Sequence, residues 1–248
     1  MANRDPVSWT LEISNNKSEW HVIDCRTNET ITTDRAALAG PWALDIPAGQ
    51  LATDVIPDAS RTRIAAGATL LLAAGALETV GPLSGTGTVA LAAGASLTIN
   101  AFKEAVFEGT FTGDGALAVS NGVQALHGAA LDGVTNLVLA AGGILTGDAT
   151  HDGDLAVSFA GGAYRGSIDV TGALNVTGTA VYELPEDADL PYTLTLFTYA
   201  SADAATRTAL AAGAETLSVP DGYVATVRVT DRSATLSVSA PGLILLLR

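Results

Sequence analysis

Residues 64–80 read IAAGATLLLAAGALETV, and residues 89–99 read VALAAGASLTI. In both stretches an Ala-Ala-Gly triplet precedes a short run of apolar residues and Thr, and the triplet recurs at residues 140–142. Glycine suits tight corners because it adopts positive φ readily. Runs this short cannot form the face of a β-sandwich alone, but stacked in successive coils they pair their backbones around an apolar core. The pattern predicts a parallel β-solenoid over residues 63–182.

A second motif, a glycine turn followed by alternating residues, sets the expected coil length. It places Gly87, Gly115, Gly153 and Gly172 at intervals of 28, 38 and 19 residues. The last two intervals fit a coil of about 19 residues, and the first does not. Frequent glycines and β-branched residues disfavour helix. The exception is residues 200–213, which predict a short helix capped by Ser201 and ended by Gly213.

Both flanks of the solenoid are predicted to be β-structure. Alternating residues at 8–13 and 20–25 predict a hairpin within a small N-terminal cap, residues 1–62. Residues 183–248 predict an antiparallel cap with an apolar tail, built from a strand at 192–199 and a hairpin of residues 223–229 and 234–238. The fold class is therefore all-β.

Composition excludes several classes of function. The 248 residues carry 12 basic and 26 acidic side chains, a formal charge of −14, which leaves no basic surface for nucleic acid. No apolar run approaches the roughly 20 residues that span a bilayer. Cys25 is the single cysteine and allows no intrachain disulfide. Residues 1–6 lack the apolar segment of a secretory signal.

The glycine-rich, Ala/Thr/Leu-rich runs resemble the autotransporter-associated β-strand repeats of large secreted bacterial surface proteins. The ending is similar too: YTLTLFTY at 192–199, PDGYVATV at 220–227, ATLSV at 234–238 and PGLILLLR at 241–248. The resemblance covers roughly residues 63–240. It implies a passenger-type parallel β-helix used at the cell surface for display, adhesion or assembly. It supplies no catalytic residues.

Candidate sites for chemistry are few. Asp148, Asp152 and Asp154 fall within seven residues and could offer oxygen ligands to a weakly bound Ca²⁺. An ordinary solvated turn is the favoured interpretation, because neither the EF-hand pattern nor a tandem Gly/Asp nonapeptide is present. His127 and His151 favour surface or corner roles. Between residues 64 and 182 the only basic residues are Lys103 and Arg165, so we expect no enzyme and no cofactor.

The remaining interpretation is association. The open ends of a solenoid and an apolar C-terminal strand both offer backbone groups for pairing with another chain. The strand comprises Leu243, Ile244, Leu245, Leu246 and Leu247. We expect a structural protein that forms a homo-oligomer or polymer, in extracellular filaments or a surface layer. One alternative is an adhesin or phage-fibre-type module that binds a glycan or receptor. Another is an intracellular cytoskeletal β-helix of the bactofilin kind.

Overall fold

A computed structural model describes residues 9–13, 21–26, 37–38, 43–46, 56, 58, 60–185 and 187–241, the first four ranges by their backbone. In these residues the chain is a parallel β-solenoid with antiparallel strands near its C-terminus. This confirms the predicted fold class. None of the described helices is long and apolar enough to cross a membrane.

Four strands precede the regular coils. The first two, β1 (Trp9–Ile13) and β2 (His21–Arg26), pair antiparallel, which confirms the predicted hairpin. The next two, β3 (Ala37–Leu38) and β4 (Ala43–Ile46), pair in parallel with strands of the first coil. Parallel stacking therefore begins within the segment that the sequence assigns to the N-terminal cap.

Six coils follow, three with three short strands each and three with two longer strands each. The first three coils comprise β5 (Thr62–Ile64), β6 (Thr69–Leu72) and β7 (Leu77–Val80); β8 (Leu83–Gly85), β9 (Thr88–Leu91) and β10 (Ser96–Asn100); and β11 (Ala105–Phe107), β12 (Thr110–Gly113) and β13 (Gly115–Ser120). The last three comprise β14 (Gly122–Ala130) and β15 (Val134–Ala140); β16 (Gly143–His151) and β17 (Leu155–Ala160); and β18 (Ala163–Val170) and β19 (Ala173–Gly178). In these later coils one continuous strand covers the first two faces, because β14 pairs with both β11 and β12.

The strand register gives a coil of about 20 residues. On the third face, paired residues of successive coils are 19 or 20 positions apart: Leu77, Ser96, Ala116, Asn136, Ala156 and Asn175. The 28-residue interval from Gly87 to Gly115 does not fit because the two glycines lie on different faces. Gly87 precedes β9 on the second face, and Gly115 begins β13 on the third.

The Ala-Ala-Gly triplets form corners of the coil. In the first, the amide nitrogen of Ala68 donates to the carbonyl oxygen of Ala65 at 3.0 Å, and Gly67 has a φ of +78°. The triplets at residues 73–75 and 92–94 repeat this turn. A glycine at the third position of such a turn avoids the clash that a side chain would suffer at positive φ. A further Ala-Ala-Gly triplet, at residues 211–213, instead ends a helix.

The core lies between the three faces and is formed mainly by alternate residues of the coil strands from β5 onward. Leu, Val, Ile and Ala predominate, as the sequence predicts for a narrow solenoid. Aromatic side chains also pack inside, which the sequence did not predict. Phe107 and Phe111 make an edge-to-face pair with centroids 5.2 Å apart, and Tyr164 stacks on Phe197 at 4.9 Å. Tyr164 and Tyr182 are buried and form no exposed platform for a sugar.

The last coil is covered by a cap built after residue 191. Its elements are β20 (Tyr192–Thr198), β21 (Ser201–Ala202), α1 (Ala204–Ala212), the 3-10 turn Gly213–Thr216, β22 (Val224–Val229) and β23 (Ser233–Ser239). Strand β23 pairs antiparallel with β20 on one side and with β22 on the other, and the β22–β23 pair confirms the predicted hairpin. The predicted helix cap at Ser201 is wrong. Ser201 still pairs in parallel with Ala173, and the carboxylate of Asp203 caps the helix.

Candidate functional site

An open groove of about 490 Å³ lies on the outer surface near the C-terminal end of the solenoid. Strands β14, β16 and β18 contribute its floor, and β20 contributes Leu194, Thr195 and Thr198. The groove lies where β20 pairs with β23 along its whole length but meets β18 only through its last two residues, Phe197 and Thr198. The recess thus lies where the parallel stack ends.

Strand register aligns the polar side chains of this groove in two rows. Successive residues of a strand point to opposite faces, so residues two apart share the outer surface. One row crosses β14, β16 and β18 and consists of His127, which lies beside the lining, Asp148 and Ser167. The other crosses β16, β18 and β20 and consists of Thr150, Asp169 and Thr198. Neighbouring strands in a sheet lie about 4.8 Å apart, so each row is a ladder of closely spaced polar groups.

Both carboxylates of the groove have a partner on a neighbouring strand. His127 Nδ1 lies 2.9 Å from Asp148 Oδ1, and Thr198 Oγ1 donates to Asp169 Oδ1. The hydrogen bond from His127 lowers the pKa of the Asp148 carboxyl. More than half of each side chain in the His127–Asp148 pair is exposed, so water screens their attraction.

The lining residues determine which ligands the groove could accept. Two carboxylates and several hydroxyls can accept and donate hydrogen bonds to a polyhydroxylated ligand, such as a sugar. Ala149, Ile168 and Leu194 provide a small apolar surface between them. The described lining contains no aromatic ring on which a sugar could stack.

The three aspartates that the sequence suggests as calcium ligands do not form one cluster. Asp148 lies in the groove, whereas Asp152 and Asp154 lie at the next corner. Asp152 Oδ1 accepts a hydrogen bond from Thr171 Oγ1 at 2.6 Å, and Asp154 Oδ1 accepts one from the Ala173 amide at 2.7 Å. Within the described residues, no group of three or more His, Cys, Asp or Glu side chains is placed to hold a metal ion.

His151 is buried at this corner, whereas His127 lies on the surface. The two ring nitrogens of His151 lie 2.8 Å from the Leu131 carbonyl oxygen and 3.0 Å from that of Asp154. These contacts join the corners of two coils and occupy both nitrogens. Both positions agree with the surface or corner role that the sequence predicts for these histidines.

A second candidate site is the outer edge of β22. In the described part of the chain, β22 pairs with β23 on one side and with no strand on the other. Its exposed side chains are Val224, Thr226 and Arg228, and Val224 is 48% exposed. An unpaired edge of this kind offers backbone N–H and C=O groups to another chain. The tail predicted to self-associate, Leu243 to Leu247, lies outside the described residues.

Comparisons with known proteins found no match from which a function of the site could be inferred. No protein-family model, no curated protein and no solved structure matches this chain. The resemblance to autotransporter-associated repeats therefore stays a hypothesis based on the sequence.

Proposed function

We propose that this chain is a non-enzymatic structural β-solenoid that self-associates outside the cell, in filaments or a surface layer. The observation that supports the proposal is the edge of β22, which no other described strand pairs with, at the end of a sheet that otherwise runs through the whole solenoid. Exposed edges of this length recruit further strands unless charge or covering elements prevent it. Arg228 is the only charged residue on β22.

The use of the polar side chains also supports a structural role. Asp152, Asp154 and His151 each bond to a neighbouring coil, as does the pair of His127 with Asp148. Contacts of this kind hold coils in register. They account for these residues without a chemical reaction.

Negative-stain electron microscopy of the concentrated protein tests the proposal. We expect regular filaments or sheets. The mass of their repeating unit should equal that of one 25.0 kDa chain or a multiple of it. Dispersed single particles at every concentration would overturn the proposal.

A second candidate function is the binding of a glycan in the groove. The observation in its favour is the alignment of two carboxylates with hydroxyls from three strands around a recess of about 490 Å³. A glycan array probed with the wild-type protein and with Asp169→Asn tests it. Binding by the wild type and its loss in the variant would support this function. The matched control is Asp132→Asn, since Asp132 is not among the groove's lining residues.

A further inference from the structure

We infer that β22 pairs antiparallel with β22 of a second copy of this chain, across a two-fold axis through Thr226. The inference rests on the proposed self-association and specifies its contact. Two facts carry it: the edge of β22 is unpaired within the described residues, and its side chains suit pairing with themselves.

Charge favours the β22–β23 hairpin as the contact. The loop of residues 183–191, at the same end of the molecule, contains four acidic side chains and no basic one, whereas residues 224–239 contain two basic side chains and one acidic side chain. Two copies of a chain with a net charge of −14 repel each other at most approaches. The repulsion is weakest where two β22–β23 hairpins meet, because residues 224–239 have a net charge of +1.

Geometry restricts the register. The N–H and C=O groups of consecutive strand residues point to opposite sides, so directly paired residues in a two-fold pair must differ by an even number of positions. The axis therefore passes through a residue. Within the six residues of β22, axes through Thr226 or Val227 give the longest overlap.

Side-chain chemistry selects the axis through Thr226. That register sets Thr226 opposite its own counterpart and Val224 opposite Arg228 of the other copy. The aliphatic part of Arg228 would then cover the side chain of Val224, the most exposed apolar group on the strand. An axis through Val227 leaves Val224 opposite Thr230, and an axis through Arg228 opposes two like charges.

The pairing gives a closed dimer, because each copy uses the same surface. It joins two solenoids at their C-terminal caps and leaves both N-terminal ends facing outward. A polymer then needs one further contact at those ends. The inferred dimer is thus the repeating unit of the proposed assembly.

Oxidative cross-linking tests the contact. In a Cys25→Ala background, Thr226→Cys places two thiols opposite each other, within reach of a disulfide. Thr208→Cys, on the exposed side of α1, is the matched control. We expect Thr226→Cys to form a covalent dimer at least tenfold faster than Thr208→Cys. Circular dichroism and the folded fraction are measured for each variant before oxidation.

A second variant keeps the test decisive if Thr226→Cys does not fold. Val224→Cys combined with Arg228→Cys sets two cysteine pairs across the same interface. The two positions are too far apart along one strand to bond within a chain. Covalent dimers from this variant support the contact, and their absence from a folded variant overturns it.

Sedimentation of the unmodified chain separates the contact from the proposed function. If that chain assembles while the folded cysteine variants do not cross-link, the β22 contact is wrong and self-association stands. If the chain stays a 25.0 kDa monomer, both are wrong. If Thr226→Cys cross-links only after residues 242–248 are deleted, the chain's own tail covers the edge and the contact between copies is wrong.

Discussion

Single glycines fix where each coil can stack on the next. Gly113 has a φ of +103°, and a Cβ atom there would lie 2.0 Å from the Leu91 carbonyl oxygen of the preceding coil. Gly67 has a similar positive φ of +78°, but a Cβ atom there meets nothing within 4 Å. Gly113 is therefore required both for its positive φ and for the close approach of the preceding coil. Gly67 is required for its positive φ alone.

Gly113→Ala should therefore destabilise the fold more than Gly67→Ala. The left-handed conformation costs an alanine about 1–2 kcal/mol, which is the loss expected for Gly67→Ala. At Gly113 the overlap with the neighbouring backbone adds about 1–3 kcal/mol. Urea unfolding of both variants measures the difference. Equal losses of unfolding free energy would show that the coils can separate slightly to admit a methyl group.

The contact between His127 and Asp148 predicts how the titration of Asp148 and the stability of the fold respond to low pH. His127→Ala removes the hydrogen bond that lowers the pKa of Asp148, so that pKa should rise toward its ordinary value. A depressed carboxyl pKa adds stability above the unfolded-state pKa, and this is lost as the pH falls through the folded value. The effect on stability should be small because the pair is exposed.

An NMR pH titration of the Asp148 carboxyl carbon in the wild type and His127→Ala checks this. His151→Ala is not a suitable control because that side chain is buried. Thr150→Ala, in the neighbouring row of the groove, should leave the titration unchanged. An unaltered Asp148 titration in His127→Ala would contradict the hydrogen bond.

At the level of elements, helix α1 protects the last complete coil. Thr206 is fully buried, and its Oγ1 accepts a hydrogen bond from the Val176 amide of β19 at 3.0 Å. The hydroxyl of Tyr182 donates to the Leu210 carbonyl oxygen at 3.1 Å. The helix thus satisfies a backbone group of β19 where strand pairing does not, and it covers the apolar core there.

Thr206→Val should weaken this cap because it leaves the buried Val176 amide without an acceptor. We expect a loss of about 1–3 kcal/mol in unfolding free energy and faster hydrogen exchange at Val176. Thr208→Val is the matched control, since Thr208 is exposed and bonds only to Ala204 of its own helix. It should change stability by no more than about 0.5 kcal/mol. Equal effects of the two substitutions would refute the capping role.

The elements also show where prediction from sequence reached its limit. Ala-Ala-Gly corners are local, so the triplets at 65–67 and 92–94 could be recognised from the residues alone. The groove is not local. It depends on a register shift at Gly128, between His127 and Ala129, and on the 29-residue step from Ile168 to Phe197. The spacing of 21 residues between His127 and Asp148 is close to one coil, which indicates that the two are neighbours on adjacent coils. This spacing can be interpreted only once the coil length is known.

The helix cap failed for a related reason. Ser201 is a good capping residue by type, but its strand pairing with Ala173 keeps the chain extended there. Asp203 then takes the cap two residues later. A long-range pairing therefore overrode a local preference that the sequence expressed clearly.

The whole molecule is a short rod with chemically different ends. Its coils, residues 63–182, carry three basic and nine acidic side chains, whereas the β22–β23 hairpin, residues 224–239, carries two basic and one acidic and has one edge that is unpaired within the described residues. Such a distribution favours contact at one end and keeps the sides of the rods apart. A structural protein that assembles in an ordered way needs this difference between end and side.

Sedimentation velocity of the wild-type chain, Thr226→Lys and Thr208→Lys over a range of concentrations tests the self-association most directly. We predict that the wild type and Thr208→Lys sediment as dimers or larger species at high concentration. Thr226→Lys, which opposes two charges at the two-fold axis, should sediment as a 25.0 kDa monomer with an unchanged circular dichroism spectrum. A wild-type chain that remains a monomer at every concentration would contradict the account.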